Sequence, residues 1–177
     1  AKTEGICQPI LLGNPDRLNR LAQRLKLDLS DIEIIDMRAD QEQGRRATYA
    51  KHLAKKRARQ GYNFEEAYDK MYERNYFGMM MVETGEADAF ITGLYTKYSN
   101  SIKVVGIRPE YKTFATMHIL NTKKGTFYIA DTLINRHPDE NVLMDVAKLS
   151  AHTVQFFNEE PHIAMISYSN FGTDEVG

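Results

Sequence analysis

The spacing of apolar positions predicts a strand, a helix and a second strand at the beginning of the chain. Short apolar runs at residues 8–12 and 32–35 are typical of buried strands, and leucines recur at helical spacing over residues 18–25. Asn14 suits the N-cap of that helix, and Pro15 suits its first position. We therefore expect the helix to pack one apolar stripe against the strands.

Helical patterns continue in the middle of the chain. Residues 41–60 predict a basic helix that ends at Gly61. Asn63, followed by Glu66 three residues later, has the spacing of a capping box and predicts the beginning of the next helix. A third helix carries three consecutive methionines and is predicted to end at Gly85, because glycine is favoured just after helix C-termini.

Strands and helices alternate in the remainder of the chain. Strands are predicted at residues 87–92, 126–130 and 162–167, apolar runs at 102–105 and 114–120, and a helix at 139–157. Such alternation predicts an α/β fold with three αβα layers and a mostly parallel sheet. The pattern breaks at Arg108 and Pro109, so we predict a first lobe at residues 1–108 and a second lobe at 109–177.

Composition narrows the class of protein. The 177 residues carry a net charge of −1, so no overall field attracts nucleic acid or a membrane surface. No apolar run approaches the roughly 18 residues that a membrane span requires. The one cysteine, Cys7, has no second cysteine to pair with, and the first residues lack the apolar core of a signal peptide. We expect a cytoplasmic globular protein that binds neither nucleic acid nor membrane.

The densest charge feature is a basic cluster in the predicted helix at residues 41–60. Its members are Arg45, Arg46, Lys51, Lys55, Lys56, Arg57 and Arg59. Charge runs are usually solvated helix faces, whereas several guanidinium groups together can hold phosphates. A nucleic-acid site is the weaker alternative, because Tyr49 and Tyr62 are the only aromatic residues interleaved with the cluster.

Two hydroxyl-rich segments are candidate anion sites. Residues 93–103 lead into a predicted helix, whose free N–H groups favour anions, and Lys97 and Lys103 add positive charge there. The alternative is an ordinary capped turn. The second segment, at the end of the last predicted strand, contains Ser167, Ser169, Gly172 and Thr173. Ligands of open α/β sheets collect beyond strand ends, although a plain loop has the same composition.

A metal site is one interpretation of Asp131, Asn135 and Asp139. A hard-cation site needs more oxygen ligands than these. Asp139 also suits the N-cap of the last predicted helix. We therefore assign no metal and no catalytic residue to this chain.

Three segments, in order along the chain, resemble one enzyme family. Residues 75–93 contain Y-F-G, M-M-V, A-D and a closing glycine, residues 127–138 read F-Y-I-A-D-T-L-I-N-R-H-P, and residues 164–173 read A-M-I-S-Y-S-N-F-G-T. Together these segments resemble the phosphate acetyltransferase (phosphotransacetylase) family, and the resemblance extends over nearly the whole chain.

Residue differences within these segments indicate which members of the family this chain resembles. Asn75 precedes Y-F-G, Thr132 stands where stand-alone transferases tend to have cysteine, and residues 169–172 read S-N-F-G rather than S-T-K-G. These variants resemble the transferase-like region fused to the C-terminus of bacterial NADP-dependent malic enzymes. Such a region is expected to sense acetyl-CoA and to help assemble the oligomer. NADP and a divalent metal, Mg or Mn, would then bind only in the upstream region of the parent protein.

The resemblance also implies two lobes with a cleft and a site for phosphate or acyl-CoA. Arg57 matches an arginine that contacts the phosphate or CoA end of the substrate. The other implied ligand-binding residues are Lys97, Asn100, Lys103, Ser167, Ser169, Gly172 and Thr173. A working transferase would have an arginine at the position of Lys103, and the family's S-R-G segment is missing. The chain thus resembles a truncated member of the family, which we expect not to turn over by itself.

The residues and the resemblance leave three hypotheses for function. The first is an acetyl-CoA-sensing, oligomerising domain of a malic enzyme whose parent converts malate to pyruvate by oxidative decarboxylation. The second is a fragment of a phosphate acetyltransferase or butyryltransferase, which would convert acetyl-CoA and phosphate to acetyl phosphate and CoA. The third is a structural interaction module without a ligand. We also expect a homo-oligomer, with the helix that carries Tyr76, Phe77 and the three methionines as the associating surface.

Overall fold

The structure, a computed structural model, describes residues 1–93, 97–102, 104 and 111–166. The chain divides into two compact units, Ala1–Val105 and Gly106–Gly177. This division falls close to the boundary predicted at residue 108, and the assignment of the units to two lobes with a cleft stays a prediction. Helices and short strands follow one another along the chain, so the predicted α/β class is confirmed.

The first unit opens with the predicted strand, helix and strand. Strand β1 (Ile10–Leu12) pairs in parallel with β2 (Glu33–Ile35), and helix α1 (Pro15–Leu25) connects them. The side chain of Asn14 accepts a hydrogen bond from the backbone N–H of Arg17 at 3.1 Å, which confirms the predicted N-cap. The parallel pairing follows from the helix, since two parallel strands need a crossover of this length between them.

The next helices are α2 (Gln43–Arg57), α3 (Phe64–Lys70), α4 (Arg74–Glu83) and α5 (Tyr98–Ile102). A short 3-10 turn, Ala58–Gln60, extends α2 to Gly61, whose φ of +85° is a left-handed conformation that glycine adopts without strain. Asn63 accepts from the backbone of Glu66 at 2.8 Å, and the Glu66 carboxylate accepts from the backbone of Asn63 at 3.2 Å. The predicted capping box is therefore confirmed.

Helices α2 and α4 contribute the centre of the first unit's core. Tyr49 and Phe77 are fully buried, and their rings meet edge to face with centroids 5.1 Å apart. Met80 and Met81 belong to the same core, as does Tyr76. The prediction that this helix forms an associating surface is wrong, because these side chains already pack inside the unit.

Gly78 lets the chain pass close to α4. A Cβ atom at this position would lie 2.3 Å from a ring carbon of Phe90. Phe90 belongs to residues 87–92, which we predicted as a strand but which form none in the structure. The apolar pattern of this segment therefore reflects packing against a helix rather than pairing with another strand.

The second unit contains a hairpin and a helix. Strand β3 (Met117–Thr122) pairs with β4 (Gly125–Ala130), and α6 (Glu140–Phe156) follows. The hairpin is antiparallel, with Thr122 opposite Gly125, because two intervening residues are enough only for an antiparallel connection. The described residues thus contain one parallel and one antiparallel strand pair, where a mostly parallel sheet was predicted.

The predicted helix at residues 139–157 is confirmed by α6, and its cap is confirmed as well. Asp139 accepts a hydrogen bond from the backbone N–H of Val142 at 2.8 Å. Residues 162–166, predicted as the beginning of a strand, form none in the structure. No helix within the described ranges is long and apolar enough to cross a membrane.

Candidate functional site

Arg57, which the family resemblance assigns to the ligand, lies at the end of α2 and is only 8% exposed. Its Nη2 donates to the carbonyl oxygen of Val104 at 2.6 Å, and its Cζ lies 5.8 Å from the centroid of the Tyr62 ring. The solvated-face interpretation is therefore wrong for this residue, because its guanidinium group is buried and bonded to the backbone. A contact between Arg57 and a ligand stays a prediction.

Arg46 is a second buried member of the basic cluster, with 3% of its surface exposed. Its Nη1 donates to the carbonyl oxygens of Met37 and Ala39 at 2.6 and 2.8 Å, and its Cζ lies 4.7 Å from the centroid of the Tyr72 ring. The cluster members that face solvent are Lys51, Lys55, Lys56 and Arg59. The basic cluster is thus not one charged surface, since its two buried arginines donate hydrogen bonds to backbone carbonyl oxygens.

A signal in the sequence separates these buried arginines from their exposed neighbours. The buried residues of α2 include Arg46, Ala50, Leu53 and Arg57, which recur every three or four residues. Both arginines therefore stand on the apolar stripe of the helix, where long side chains can bury their stems. The helical spacing of these positions, rather than the density of charge, indicates which arginines are buried.

Asn75 links the beginning of α4 to a distant part of the first unit. Its Oδ1 accepts from the Thr92 hydroxyl at 2.6 Å, and its Nδ2 donates to the Ser101 hydroxyl at the longer distance of 3.4 Å. These two partners lie on either side of Lys97 and Asn100 along the chain. In the sequence Asn75 stands out only as a family variant, and no local pattern indicates its two distant partners.

Lys97 and Asn100 lie on one turn. The backbone N–H of Asn100 donates to the carbonyl oxygen of Lys97 at 2.9 Å, and the side chains of both residues are exposed. Residues three apart on a turn project on the same side, so we expect this turn to present a cationic and an amide group side by side. Residues 93–103 were predicted to lead into a helix, whereas the helix here, α5, has five residues and lies within that segment.

The remaining residues of the predicted site lie outside the described part of the chain. They are Lys103, Ser167, Ser169, Gly172 and Thr173. Their assignment to a ligand stays a prediction.

A pair of tyrosines lies near Arg57. The hydroxyl oxygens of Tyr62 and Tyr76 are 3.3 Å apart, so one donates to the other. Burial, together with the Tyr62 hydroxyl, raises the pKa of Tyr76 to about 12. At neutral pH Tyr76 is therefore protonated, so it can donate a hydrogen bond but cannot take a proton as a general base.

A network of hydrogen bonds connects two loops around Asp131 and Asn135. These residues belong to the A-D-x-x-x-N part of the second motif. Asp131 accepts from the backbone N–H groups of Thr116 and Asn135 at 3.1 and 2.7 Å, and from the Asn135 amide at 2.7 Å. Burial opposes ionisation of the Asp131 carboxyl, but these hydrogen bonds outweigh it and lower its pKa. The geometry gives this motif a structural role.

The described residues contain no group of three or more His, Cys, Asp or Glu side chains arranged to hold a metal ion. Asp131 directs its oxygens at N–H donors, and Asp139 caps α6. These contacts account for the two carboxylates that the sequence offered as metal ligands.

Comparison with known proteins identifies what this chain is similar to. The family model described as "Phosphate acetyl/butaryl transferase" matches residues 1–176. An NADP-dependent malic enzyme of Escherichia coli (strain K12) is 33% identical over 181 aligned residues, which cover 98% of this chain and 24% of that protein. A phosphate acetyltransferase of Thermoanaerobacterium thermosaccharolyticum is 30% identical, with 96% of this chain and 54% of that protein covered.

A solved structure shows the same similarity in three dimensions. A phosphotransacetylase from Streptococcus pyogenes superimposes with a TM-score of 0.79 at 25% identity, covering 98% of this chain and 54% of that one. This chain therefore spans about half the length of these two transferases and about a quarter of the malic enzyme.

Proposed function

Since this chain belongs to the phosphate acetyl/butyryl transferase family, we propose that it is the transferase-like region of an NADP-dependent malic enzyme, where it binds acetyl-CoA as a regulatory ligand. The observation that supports this proposal best is the similarity to such a malic enzyme over almost the entire chain. The motif variants at Asn75 and Thr132 point in the same direction.

Among the described residues of the proposed ligand site, Lys97 and Asn100 form the exposed part and Arg57 is buried. A lysine supplies a compact positive charge for a phosphate group, and an asparagine amide supplies both a donor and an acceptor. Lys103, Ser167, Ser169, Gly172 and Thr173 are assigned to the same ligand by family resemblance. The ligand class is therefore an acyl-CoA or phosphate.

The described residues are better suited to binding acetyl-CoA than to catalysing transfer of its acetyl group. Transfer of an acetyl group from CoA to phosphate needs a group that manages the proton of the CoA thiol, and cations for the developing negative charge. Tyr76 holds its proton far above neutral pH, and Arg57 is buried on the Val104 carbonyl. We accordingly assign no catalytic residue to the described part of the chain.

In the proposed parent, the oxidation of malate to pyruvate belongs to a different region. NADP and the divalent metal, Mg or Mn, would act there, and acetyl-CoA bound by the present chain would change that activity through the assembled homo-oligomer. The cytoplasm, where acetyl-CoA and NADP are both available, is the proposed location.

Two other functions are supported by particular observations. Similarity to a phosphate acetyltransferase and to a solved phosphotransacetylase favours a part of a working transferase. The burial of Arg57 favours an interaction module without a ligand, because it removes a cation from the surface.

One set of measurements on the full-length protein separates these functions. We expect acetyl-CoA to bind in calorimetry and to change the rate of malate-dependent NADPH formation. Lys97→Ala should weaken acetyl-CoA binding about 3- to 10-fold, because an exposed charge contact contributes about 1 kcal/mol. Lys148→Ala is the matched control, an exposed lysine on α6 that should leave binding unchanged.

Each other outcome points to a different function. Phosphate-dependent release of CoA from acetyl-CoA at a rate near the ~10 per second of typical enzymes would establish a transferase. Failure of acetyl-CoA, CoA and phosphate all to bind would leave the interaction module as the remaining function.

A further inference from the structure

Side chains from two helices of the first unit hold one segment of chain. Asn75, at the beginning of α4, bonds Thr92 and Ser101. Arg57, at the end of α2, bonds the Val104 carbonyl. The three contacted residues lie on both sides of the turn that carries Lys97 and Asn100.

The Asn75 contacts do not depend on how its amide is oriented. Both partners, Thr92 and Ser101, are hydroxyls, and a hydroxyl can donate or accept a hydrogen bond. An aspartate at this position would accept from both hydroxyls and would also preserve the link, whereas alanine would remove it. Asn75 is half-buried, so water replaces these bonds only in part.

Arg57 provides the second attachment point. Val104 is itself buried, and its carbonyl oxygen lies 2.6 Å from the guanidinium Nη2. A hydrogen bond from a charged donor to a buried carbonyl is stronger than a neutral one. Lysine would keep the charge at position 57 but lose the planar geometry of the guanidinium group.

A turn of this length needs outside support. Isolated helices shorter than about 12 residues are marginal in water, and α5 has five residues. If ligand binding had to order the turn, the ordering would reduce affinity. Side chains that hold the turn before the ligand arrives remove this cost.

We propose that Asn75 and Arg57 are positioning residues, which fix the Lys97–Asn100 turn in the conformation that receives the phosphate or acyl part of the ligand. This inference rests on the proposed function for the identity of the ligand. The attachment of the turn does not rest on it and can be measured without any ligand.

The first test is hydrogen exchange of the full-length protein without ligand. In Asn75→Ala, backbone amides of residues 97–102 should exchange about 3- to 10-fold faster, since a hydrogen bond of this kind contributes about 1 kcal/mol net. Amides of α2 should keep their rates. Asn75→Asp should retain slow exchange at residues 97–102.

Asn141→Ala is the matched control, since Asn141 is also the second residue of its helix but is exposed. A double-mutant cycle with Thr92→Val should show that the two substitutions are not additive. Unchanged exchange at residues 97–102 in Asn75→Ala, with unchanged exchange in α2, would overturn the proposed positioning role.

The second test is titration with acetyl-CoA. Asn75→Ala should weaken binding about 3- to 10-fold, by the same free energy that it removes from the turn. Asn75→Asp should keep the turn in place and the exchange slow. If this variant still binds acetyl-CoA more weakly, the loss comes from repulsion between its new negative charge and the anionic ligand, and not from movement of the turn.

Arg57→Lys addresses the second attachment point with a smaller risk of unfolding than Arg57→Ala. We expect faster exchange at residues 97–102 and weaker acetyl-CoA binding together. If Arg57 contacted only the ligand, binding would weaken while exchange in the free protein stayed unchanged, and the positioning role of Arg57 would be wrong.

The two tests also separate this inference from the proposed function. Faster exchange in Asn75→Ala with no acetyl-CoA binding by the wild type would support the attachment of the turn and reject acetyl-CoA as the ligand. Acetyl-CoA binding by the wild type with unchanged exchange in Asn75→Ala would support the function and reject the attachment.

Discussion

The two units of this chain bury their apolar residues very differently. In the first unit, Tyr49, Met71 and Phe77 are fully buried where the helices meet. In the second unit, Phe127 on the hairpin is 51% exposed and Phe156 on α6 is 80% exposed. Apolar residues alone therefore do not make a core, since several elements must enclose them.

The difference follows from the elements that each unit contains. Helix α2 packs against both α3 and α4, and buried residues of the three helices belong to one core. In the described part of the second unit a hairpin packs on one helix, and Asp131 accepts several hydrogen bonds there. We therefore expect packing to dominate the stability of the first unit and polar contacts to contribute relatively more in the second.

The largest expected effect on stability comes from replacing one phenylalanine by alanine in each unit. Phe77→Ala should lower the free energy of unfolding of the first unit by about 3–5 kcal/mol, because it empties a fully enclosed site. Phe127→Ala should cost under about 1 kcal/mol, since half of that side chain already faces solvent. Hydrogen exchange resolved by region would measure both, and equal losses would show that the two units do not differ as described.

The second prediction tests the polar network of the second unit. Asp131→Asn should destabilise that unit by about 1–3 kcal/mol at neutral pH, because two backbone N–H donors lose a carboxylate acceptor. The exposed Asp88→Asn in the first unit is the control. Urea unfolding followed by circular dichroism over a range of pH would measure both variants.

The pH dependence of the Asp131 effect has a definite sign. The network lowers the pKa of Asp131 below the unfolded value of about 3.9, so the unfolded chain binds more protons between the two values. The contribution is complete above the unfolded pKa and disappears as pH falls through the lower folded pKa. A wild-type advantage that grew on acidification would contradict this assignment.

The smallest effect is expected at the surface of the first unit. Lys56 on α2 bonds Glu83 at the end of α4, and this hydrogen bond lowers the pKa of Glu83. The pair is exposed, so Lys56→Ala should cost less than about 1 kcal/mol relative to Lys51→Ala, and 1 M salt should abolish the difference. A larger cost, or one that salt does not change, would mean that ion pairs rather than packing join these helices.

Local features of this fold were predictable from sequence because their causes are local. The caps at Asn14, Asn63 and Asp139 each depend on an acceptor and an N–H three residues apart. Helical periodicity likewise located α1, α2 and α6 within a few residues. The end of α4 before Gly85 follows from the same kind of short-range chemistry.

Features that depend on distant residues were not predictable in the same way. The segment at residues 87–92 has the composition of a strand, but its packing against Gly78 cannot be read from its own residues. The partners of Asn75 lie 17 and 26 residues away. Arg57 was singled out by resemblance, yet its burial and its bond to Val104 depend on the folded unit.

The contact between Gly78 and Phe90 has a consequence for how this sequence can vary. Glycine inside a helix costs about 0.5–1 kcal/mol relative to alanine, so a change to alanine would be favourable for the helix alone. The ring of Phe90 opposes that change, since an added methyl group would meet it at 2.3 Å. Positions 78 and 90 should therefore be inherited as a pair: a chain with alanine at 78 should carry a smaller residue at 90, and a chain that keeps the ring should keep the glycine.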